Sequence, residues 1–311
     1  MMLILWILLG ITALFFAATF ICFYLAFYSC PRKEEELQKF KLPNGKIYLP
    51  FKEQMLQWMQ EAREMPHEHF SIRSFDGLTL RGNYYEYAPD APIELMFHGY
   101  RGNAERDLCG GVQRCFALGH SALIVDQRAA GRSEGRVISF GINESRDCLS
   151  WIDFMLEHFG ADVKILLCGI SMGASTVLIA AGESLPPQVR GVLADCGYHS
   201  AKEIIKAVVR KLRLPADLLY PLIKIGARLY GGFSLEEKSP EQAMKNCKIP
   251  VLFFHGEEDR FVPCEMSEKS YEACASIKKI VTIPKAGHGL CYLVDGERYL
   301  REMREFEKEW W

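Results

Sequence analysis

The sequence lacks an excess of positive charge. Its 311 residues include 37 Lys and Arg against 39 Asp and Glu, which gives a net charge of −2. Binding to phosphate backbones depends on clustered Lys and Arg, so we expect no nucleic-acid partner. The sequence also lacks a P-loop, a GxGxxG and a HExxH, which are typical of nucleotide-binding and zinc-hydrolase sites. We therefore expect no cofactor and no metal.

Charge is missing altogether from the first 31 residues, and Leu3–Phe27 is almost wholly apolar. About 20 apolar residues are enough for a helix to cross the roughly 30 Å core of a bilayer. A secretory signal peptide would have a basic start and a shorter apolar core, whereas Met1–Leu9 contains no Lys or Arg. We interpret residues 1–31 as a retained single-pass transmembrane anchor and residues 32–66 as a juxtamembrane segment.

The residues after the anchor indicate its orientation. Arg32, Lys33, Lys39 and Lys41 follow the apolar segment, and positive charge favours the cytoplasmic side. The eleven cysteines are odd in number and contain no CxxC pair, which is typical of reduced thiols. We therefore expect a membrane protein whose C-terminal body is cytoplasmic.

Beyond a short helix predicted near Glu53–Glu64, the pattern changes to alternating strands and helices. Phe70–Tyr87 predicts two strands joined by a turn at Asp76-Gly77. Six further strands are predicted at the apolar runs Ile93–Phe97, Ala122–Val125, Val163–Cys168, Val189–Ala194, Val251–Phe254 and Lys279–Ile283. This alternation predicts one α/β domain over residues 67–311, with a mostly parallel sheet and helices on both faces.

The longest gap without a strand lies between Asp195 and Pro250. Pro215, Pro221 and Gly231-Gly232 are expected to divide it into two or three helices, which predicts a small helical cap at about 198–246. Residues 202–224 mix apolar and basic side chains; such a helix could lie on an anionic membrane or could simply roof a pocket. A final helix is predicted over Glu297–Trp311, with Tyr299, Met303, Phe306 and Trp310 facing the sheet.

A GxSxG motif, Gly169–Gly173, lies between an apolar strand and an Ala-rich helix. In that context small residues permit a tight turn that exposes the serine hydroxyl. The motif predicts Ser171 as a nucleophile, although a serine in an ordinary turn remains the alternative.

A serine nucleophile requires a base, and the base requires a carboxylate to fix its tautomer. His288, in a Gly-His-Gly after the last strand, is the predicted base, and Asp259, after the preceding strand, is the predicted acid, with Glu257 and Glu258 as rivals. The backbone N–H groups of Met172 and Tyr100 are the predicted donors to the oxyanion.

Five motifs in order carry a family resemblance, and they are His98-Gly99-Tyr100, Asp126–Gly135, Gly169–Gly173, His255–Asp259 and Gly287-His288-Gly289. Together they resemble the α/β-hydrolase superfamily over residues 67–311. Gly231–Phe233 and Ser239-Pro240 resemble bacterial membrane-anchored, esterase-like members. The resemblance implies that Asp126 and Arg128 hold the loop after their strand. Ala130-Gly131 departs from the His-Gly of many relatives, which affects loop packing or substrate contacts.

The predicted function is that of a serine hydrolase, carboxylesterase-like, which cleaves lipid-like or small acyl esters through an acyl-serine intermediate. The same residues would also serve a serine peptidase or an acyl thioesterase, because these enzymes share the triad. A membrane-tethered binding protein without turnover is the alternative from another class.

Overall fold

The computed structural model of this chain describes residues 1–30 and 34–310, and for Glu34 and Trp310 the backbone only. Arg32, Lys33 and Trp311, which entered the sequence predictions, lie outside the described residues, as does the side chain of Trp310. A 3-10 helix covers Lys46–Phe51. The α-helices are α1 (Met2–Ala26), α2 (Glu34–Leu37), α3 (Lys52–Glu64), α4 (Ala104–Asp107), α5 (Gly111–Leu118), α6 (Ile142–Phe159), α7 (Met172–Ala180), α8 (Ala201–Lys211), α9 (Ala216–Gly231), α10 (Pro240–Met244), α11 (Glu265–Ala273), α12 (Cys291–Val294) and α13 (Gly296–Trp310).

Eight strands form a single sheet. They are β1 (Glu68–Arg73), β2 (Thr79–Tyr85), β3 (Ile93–Phe97), β4 (Ser121–Asp126), β5 (Ile165–Ile170), β6 (Val189–Asp195), β7 (Val251–Gly256) and β8 (Lys278–Ile283). Their order is β1-β2-β4-β3-β5-β6-β7-β8. Only β2 runs against its neighbours, and every other pairing is parallel. The predicted mostly parallel sheet is confirmed, and all eight predicted strands are present.

Helices cover both faces of the sheet, and its central strands are therefore buried on both sides. On one face Trp151 and Val177 of α6 and α7 pack against residues such as Leu167 of β5. On the other face Val112 of α5 and Tyr299, Met303 and Phe306 of α13 form a second cluster. Since alternate residues of one strand enter opposite clusters, the sheet has two hydrophobic layers. The predicted facing of Tyr299, Met303 and Phe306 is confirmed.

The segment between β6 and β7 contains α8, α9 and α10, as predicted in number. The expected break at Pro221 was wrong, because Pro221 lies inside α9. A proline in a helix interior removes one backbone hydrogen bond at a cost of about 3 kcal/mol. Tyr220 and Ile223 on either side of it are buried, and their packing offsets that cost.

Helix α1 is the one helix of residues 1–30 and 34–310 that is long and apolar enough to cross a membrane. Its 25 residues would extend about 37 Å. Most of the helix is exposed, but Thr19 and Phe23 near its C-terminal end are buried against α9.

A buried ion cluster lies on one face of the sheet, at the start of β3. Glu94 is fully buried and pairs with Arg114 and with His120, whose Nδ1 lies 3.1 Å from Oε1 of Glu94. Burial would raise the pKa of Glu94, but Arg114 and His120 lower it to about 2. Burial would lower the pKa of His120, but Glu307 and Glu94 raise it to about 9. His120 is therefore part of a charged network.

The free energy of unfolding should depend on pH through this cluster. A histidine whose pKa is raised on folding contributes stability below its ordinary pKa of about 6.5, and that contribution is lost as the pH rises through about 9. Denaturant titrations from neutral to alkaline pH should show a decline in the wild type that is smaller in His120→Gln. Equal declines in the two proteins would contradict this assignment.

Candidate active site

Ser171 occupies a sharp turn between β5 and α7. Its φ of +57° lies in the left-handed region, which side chains adopt at a cost and which is common at functional turns. A Cβ on Gly169 would lie 2.2 Å from the carbonyl carbon of Gly173, and one on Gly173 would lie 2.0 Å from the carbonyl oxygen of Phe97. Both positions therefore require glycine, and the strand-turn-helix context predicted for the motif is present.

The hydroxyl of Ser171 meets an imidazole that comes from a distant part of the chain. Nε2 of His288 lies 2.9 Å from Oγ of Ser171, and Nδ1 of His288 lies 2.6 Å from Oδ2 of Asp259. Ser171 and Asp259 are each 7% exposed. The structure thus brings the three predicted residues together, with His288 hydrogen-bonded to Ser171 on one side and to Asp259 on the other.

The carboxylate of Asp259 is held from several sides. Its Oδ1 accepts hydrogen bonds from the backbone N–H groups of Phe261 and Val262 at 2.8 and 2.9 Å, and Nε2 of His255 lies 3.4 Å from Oδ2. Although burial would raise the pKa of Asp259, its hydrogen bonds with His255 and His288 hold that pKa well below the ordinary range. The carboxylate is therefore ionised and fixed in orientation.

The rival carboxylates point elsewhere. Glu257 and Glu258 are exposed, and Oε1 of Glu257 accepts a hydrogen bond from the hydroxyl of Thr282 at 2.8 Å. The geometry therefore favours Asp259 as the partner of His288.

The two predicted oxyanion donors flank Ser171. Met172 is the first residue of α7, so its N–H has no acceptor within the helix. The loop His98–Tyr100 follows β3, and a Cβ on Gly99 would lie 3.5 Å from Cβ of Ser171. We call residues 98–101, which include the predicted donor Tyr100, the oxyanion loop. The N–H of Gly99 donates to Oδ2 of Asp107 at 3.1 Å, which fixes one side of this loop.

His98 is held by hydrogen bonds at both ring nitrogens. Its ring is buried, its Nε2 accepts a hydrogen bond from the backbone N–H of Gln127 at 3.0 Å, and its Nδ1 donates to the carbonyl of Gly99 at 2.7 Å. Nε2 thus joins this loop to the end of β4, and Nδ1 makes a hydrogen bond within the loop.

The loop after β4 is held by Asp126 and Arg128, but they do so with different partners. Asp126 accepts hydrogen bonds from the backbone N–H groups of Ala104 and Arg132 at 2.9 and 2.8 Å. Arg128 pairs with Asp147 at 2.6 Å and with Asp76 at 3.0 Å. A Cβ on Gly131 would lie 2.0 Å from Asp126, so the glycine at this position permits the close approach.

Two neighbours of the site were not among the predicted site residues. The sulfur of Cys196 lies within 4.8 Å of ligand atoms of Asp259 and His288, a grouping that could in principle hold a metal ion. Burial holds the pKa of the Cys196 thiol well above its ordinary value, and a metal ligand must be a thiolate. The hydroxyl of Tyr48 donates to the carbonyl of His288 at 3.0 Å. No sequence motif marks either residue.

Two family models match the chain. A model described as the alpha/beta hydrolase fold matches residues 95–220, and one described as serine hydrolase (FSH1) matches residues 177–290. The first match spans the oxyanion loop and Ser171, and the second spans Asp259 and His288.

The chain is also similar to individual proteins. The uncharacterised protein YqkD of Bacillus subtilis is 28% identical over 250 residues, which cover 79% of this chain and 81% of YqkD. The thiohydrolase apmlB of Arthrinium phaeospermum is 35% identical over 136 residues, 42% of each chain. The structure of the Pyrococcus furiosus esterase Pf2001 matches with a TM-score of 0.67 at 20% identity, covering 87% of this chain and 97% of the esterase; at that identity the match concerns the fold.

Proposed function

Since this chain belongs to the α/β-hydrolase superfamily and has its serine-hydrolase-type fold, we propose that it hydrolyses carboxylic esters through an acyl-serine intermediate. The observation that supports this most directly is the pair of short distances from His288 to Ser171 and to Asp259. A serine hydroxyl is a weak nucleophile at neutral pH, and an imidazole hydrogen-bonded to a carboxylate supplies the base that it needs.

In the first half of the proposed reaction, Oγ of Ser171 attacks the ester carbonyl while Nε2 of His288 takes its proton. The carboxylate of Asp259 accepts the Nδ1–H of His288 and stabilises the imidazolium that forms. The backbone N–H groups of Met172 and Tyr100 donate to the oxyanion of the tetrahedral intermediate. His288 then protonates the leaving alcohol, and the acyl group remains on Ser171.

In the second half, water replaces the alcohol. His288 removes a proton from the water, the hydroxide attacks the acyl carbonyl, and the same two N–H groups bind the second oxyanion. His288 returns the proton to Oγ of Ser171 as the carboxylic acid leaves. Proton transfer in both halves uses the hydrogen bond between Nε2 of His288 and Oγ of Ser171.

The surroundings of His288 favour an apolar acyl substrate. The ring of Phe261, 41% exposed, lies 5.0 Å from the imidazole of His288, and Nζ of Lys211 lies 5.6 Å from the Phe261 ring. Leu212, which follows Lys211 in the chain, is exposed as well. An apolar surface with a cation beside it suits a lipid-like ester or a small apolar ester.

The membrane assignment is part of the proposal. A removed signal peptide would not form part of the folded body, whereas Phe27, at the end of α1, is fully buried. This burial supports a retained single-pass anchor, and the basic residues that follow it support a cytoplasmic body. Protease protection of the C-terminal body in sealed vesicles tests the orientation; protection from protease on the cytoplasmic side would contradict it.

An acyl thioesterase is the second candidate, since one similar protein is a thiohydrolase. A panel of oxygen esters, thioesters and aminoacyl amides of graded chain length, assayed with the full chain in detergent, distinguishes the candidates. We expect the highest kcat/KM for an oxygen ester with an apolar acyl group. Faster turnover of the matched thioester would favour the second candidate, and faster turnover of the amide would indicate a peptidase.

A further inference from the structure

The C-terminal end of α1 is built into the body of the protein. The ring of Phe27 packs edge-on against Phe140 and Phe233 at centroid distances of 5.7 and 5.3 Å. The backbone N–H of Ile138 donates to the carbonyl of Phe27, and that of Ser29 donates to the carbonyl of Arg136, both at 2.9 Å. The end of the apolar helix is therefore fixed in position as well as buried.

The oxyanion loop is attached directly to this helix end. The hydroxyl of Tyr100 donates to the carbonyl of Ala26 at 2.7 Å, and Nη2 of Arg101 donates to the carbonyls of Leu25 and Tyr28 at 2.8 and 3.1 Å. The last carbonyls of a helix lack partners within it and carry partial negative charge. A hydroxyl and a guanidinium are suitable donors for them.

These contacts hold a loop whose backbone is strained at Arg101. Arg101 has a φ of +54°, in the left-handed region that non-glycine residues adopt at a cost. Contacts that hold the Tyr100 and Arg101 side chains therefore also hold the loop conformation in which the N–H of Tyr100 is available. The ring of Tyr100 lies 5.0 Å from that of Phe140, which itself touches Phe27.

The second proposed oxyanion donor is linked to the same helix end. The side chain of Met172 is buried in one apolar cluster with Phe23, Phe27 and Phe140. Tyr100 and Met172, which carry the two proposed N–H donors, therefore both pack in the apolar cluster that contains the C-terminal end of α1.

From these contacts we infer that the C-terminal end of α1 sets the geometry of the oxyanion hole, with Tyr100 and Arg101 as positioning residues that act through the loop backbone. The membrane helix then has a role in turnover beyond attachment. This inference rests on the proposed function.

A second tyrosine provides a matched comparison. The hydroxyl of Tyr230 in α9 donates to the carbonyl of Phe16 at 3.1 Å, so it also joins α1 to the body through one tyrosine hydroxyl and one helix carbonyl. Tyr230 is not in the oxyanion loop. Tyr100→Phe and Tyr230→Phe each remove one such hydrogen bond, but only the first removes a contact of the oxyanion loop.

The test compares these variants as full chains in detergent. A soluble short-chain ester gives kcat and KM, and a trifluoromethyl ketone, which forms an oxyanion on the active serine, gives Ki. A small displacement of a catalytic group can cost up to about a hundredfold in rate, and for the loss of one contact we expect about tenfold. In Tyr100→Phe kcat should fall and Ki should rise by similar factors with KM nearly unchanged, and Arg101→Gln should act in the same direction.

Tyr230→Phe should leave kcat and Ki close to the wild type. Equal effects of Tyr100→Phe and Tyr230→Phe, or a lower melting temperature in Tyr100→Phe with unchanged kcat and Ki, would overturn the inference. If the wild type neither hydrolysed esters nor reacted with a fluorophosphonate at Ser171, the proposed function would fail, and the inference with it.

Discussion

Ser171→Ala should abolish ester hydrolysis by the full chain. In enzymes with this triad, removal of the serine lowers kcat by about 10⁶-fold, because no oxygen remains to attack the carbonyl or to carry the acyl group. Ser171 contributes one side-chain hydrogen bond, to His288, so the variant should fold normally. Initial rates with a chromogenic ester, together with the melting temperature in the same detergent, measure both effects.

Ser175→Ala is the matched control for this experiment. Ser175 lies one turn further along α7, and its hydroxyl donates to the carbonyl of Tyr198 at 2.9 Å, away from His288. The control should keep its activity per folded molecule within a few-fold of the wild type. Substantial activity in Ser171→Ala would show that another group carries the reaction.

Asp259→Asn should have the second-largest effect, a fall in kcat of about 10⁴-fold. The carboxylate accepts the Nδ1–H of His288 and so leaves Nε2 free to take a proton from Ser171. An asparagine at this position can donate to Nδ1 instead, which favours the tautomer with hydrogen on Nε2, and that tautomer cannot act as a base. The charge that stabilises the imidazolium is also lost.

Glu257→Gln separates this effect from a general change in charge. Glu257 was a rival in the sequence and is exposed, with its carboxylate hydrogen-bonded to Thr282. We expect steady-state kinetics near the wild type for Glu257→Gln. A larger loss of kcat in Glu257→Gln than in Asp259→Asn would reverse the assignment of the acid.

The strands could be predicted because parallel strands buried on both faces form continuous apolar runs. The run Ile93–Phe97 coincides with β3. The strand predicted at Val163–Cys168 begins and ends two residues too early, since β5 covers Ile165–Ile170. The strand therefore continues into the GxSxG motif. Apolar content does not identify that end, because Gly169 belongs both to the strand and to the turn.

The candidate site was predictable to the extent that each residue lies in a local pattern. The motif and the order of the strands pointed to Ser171 and His288, and the sequence favoured Asp259 as the acid but left Glu257 and Glu258 as rivals. The choice among them depends on which side chain faces His288, and this is set by the fold of the loop after β7. Sequence patterns do not give that direction.

Contacts of α1 with the oxyanion loop had no signature in the sequence. The lack of charge from Met1 to Pro31 predicted a membrane helix, and lipid alone would have explained every apolar residue in it. The hydrogen bond from Tyr100 to the carbonyl of Ala26 joins residues 74 positions apart and uses a backbone acceptor that every residue carries. Only the three-dimensional arrangement shows that the apolar helix also contacts the oxyanion loop.

The central claim is that Ser171 carries the acyl group during turnover. Mixing the full chain with a chromogenic ester, quenching in acid and mapping peptides by mass spectrometry tests this directly. The account predicts one acyl group on the peptide that contains Ser171, lost at a rate no slower than kcat and absent in Ser171→Ala. Acylation of another residue, such as Cys196, or steady turnover without any acylated peptide, would contradict it.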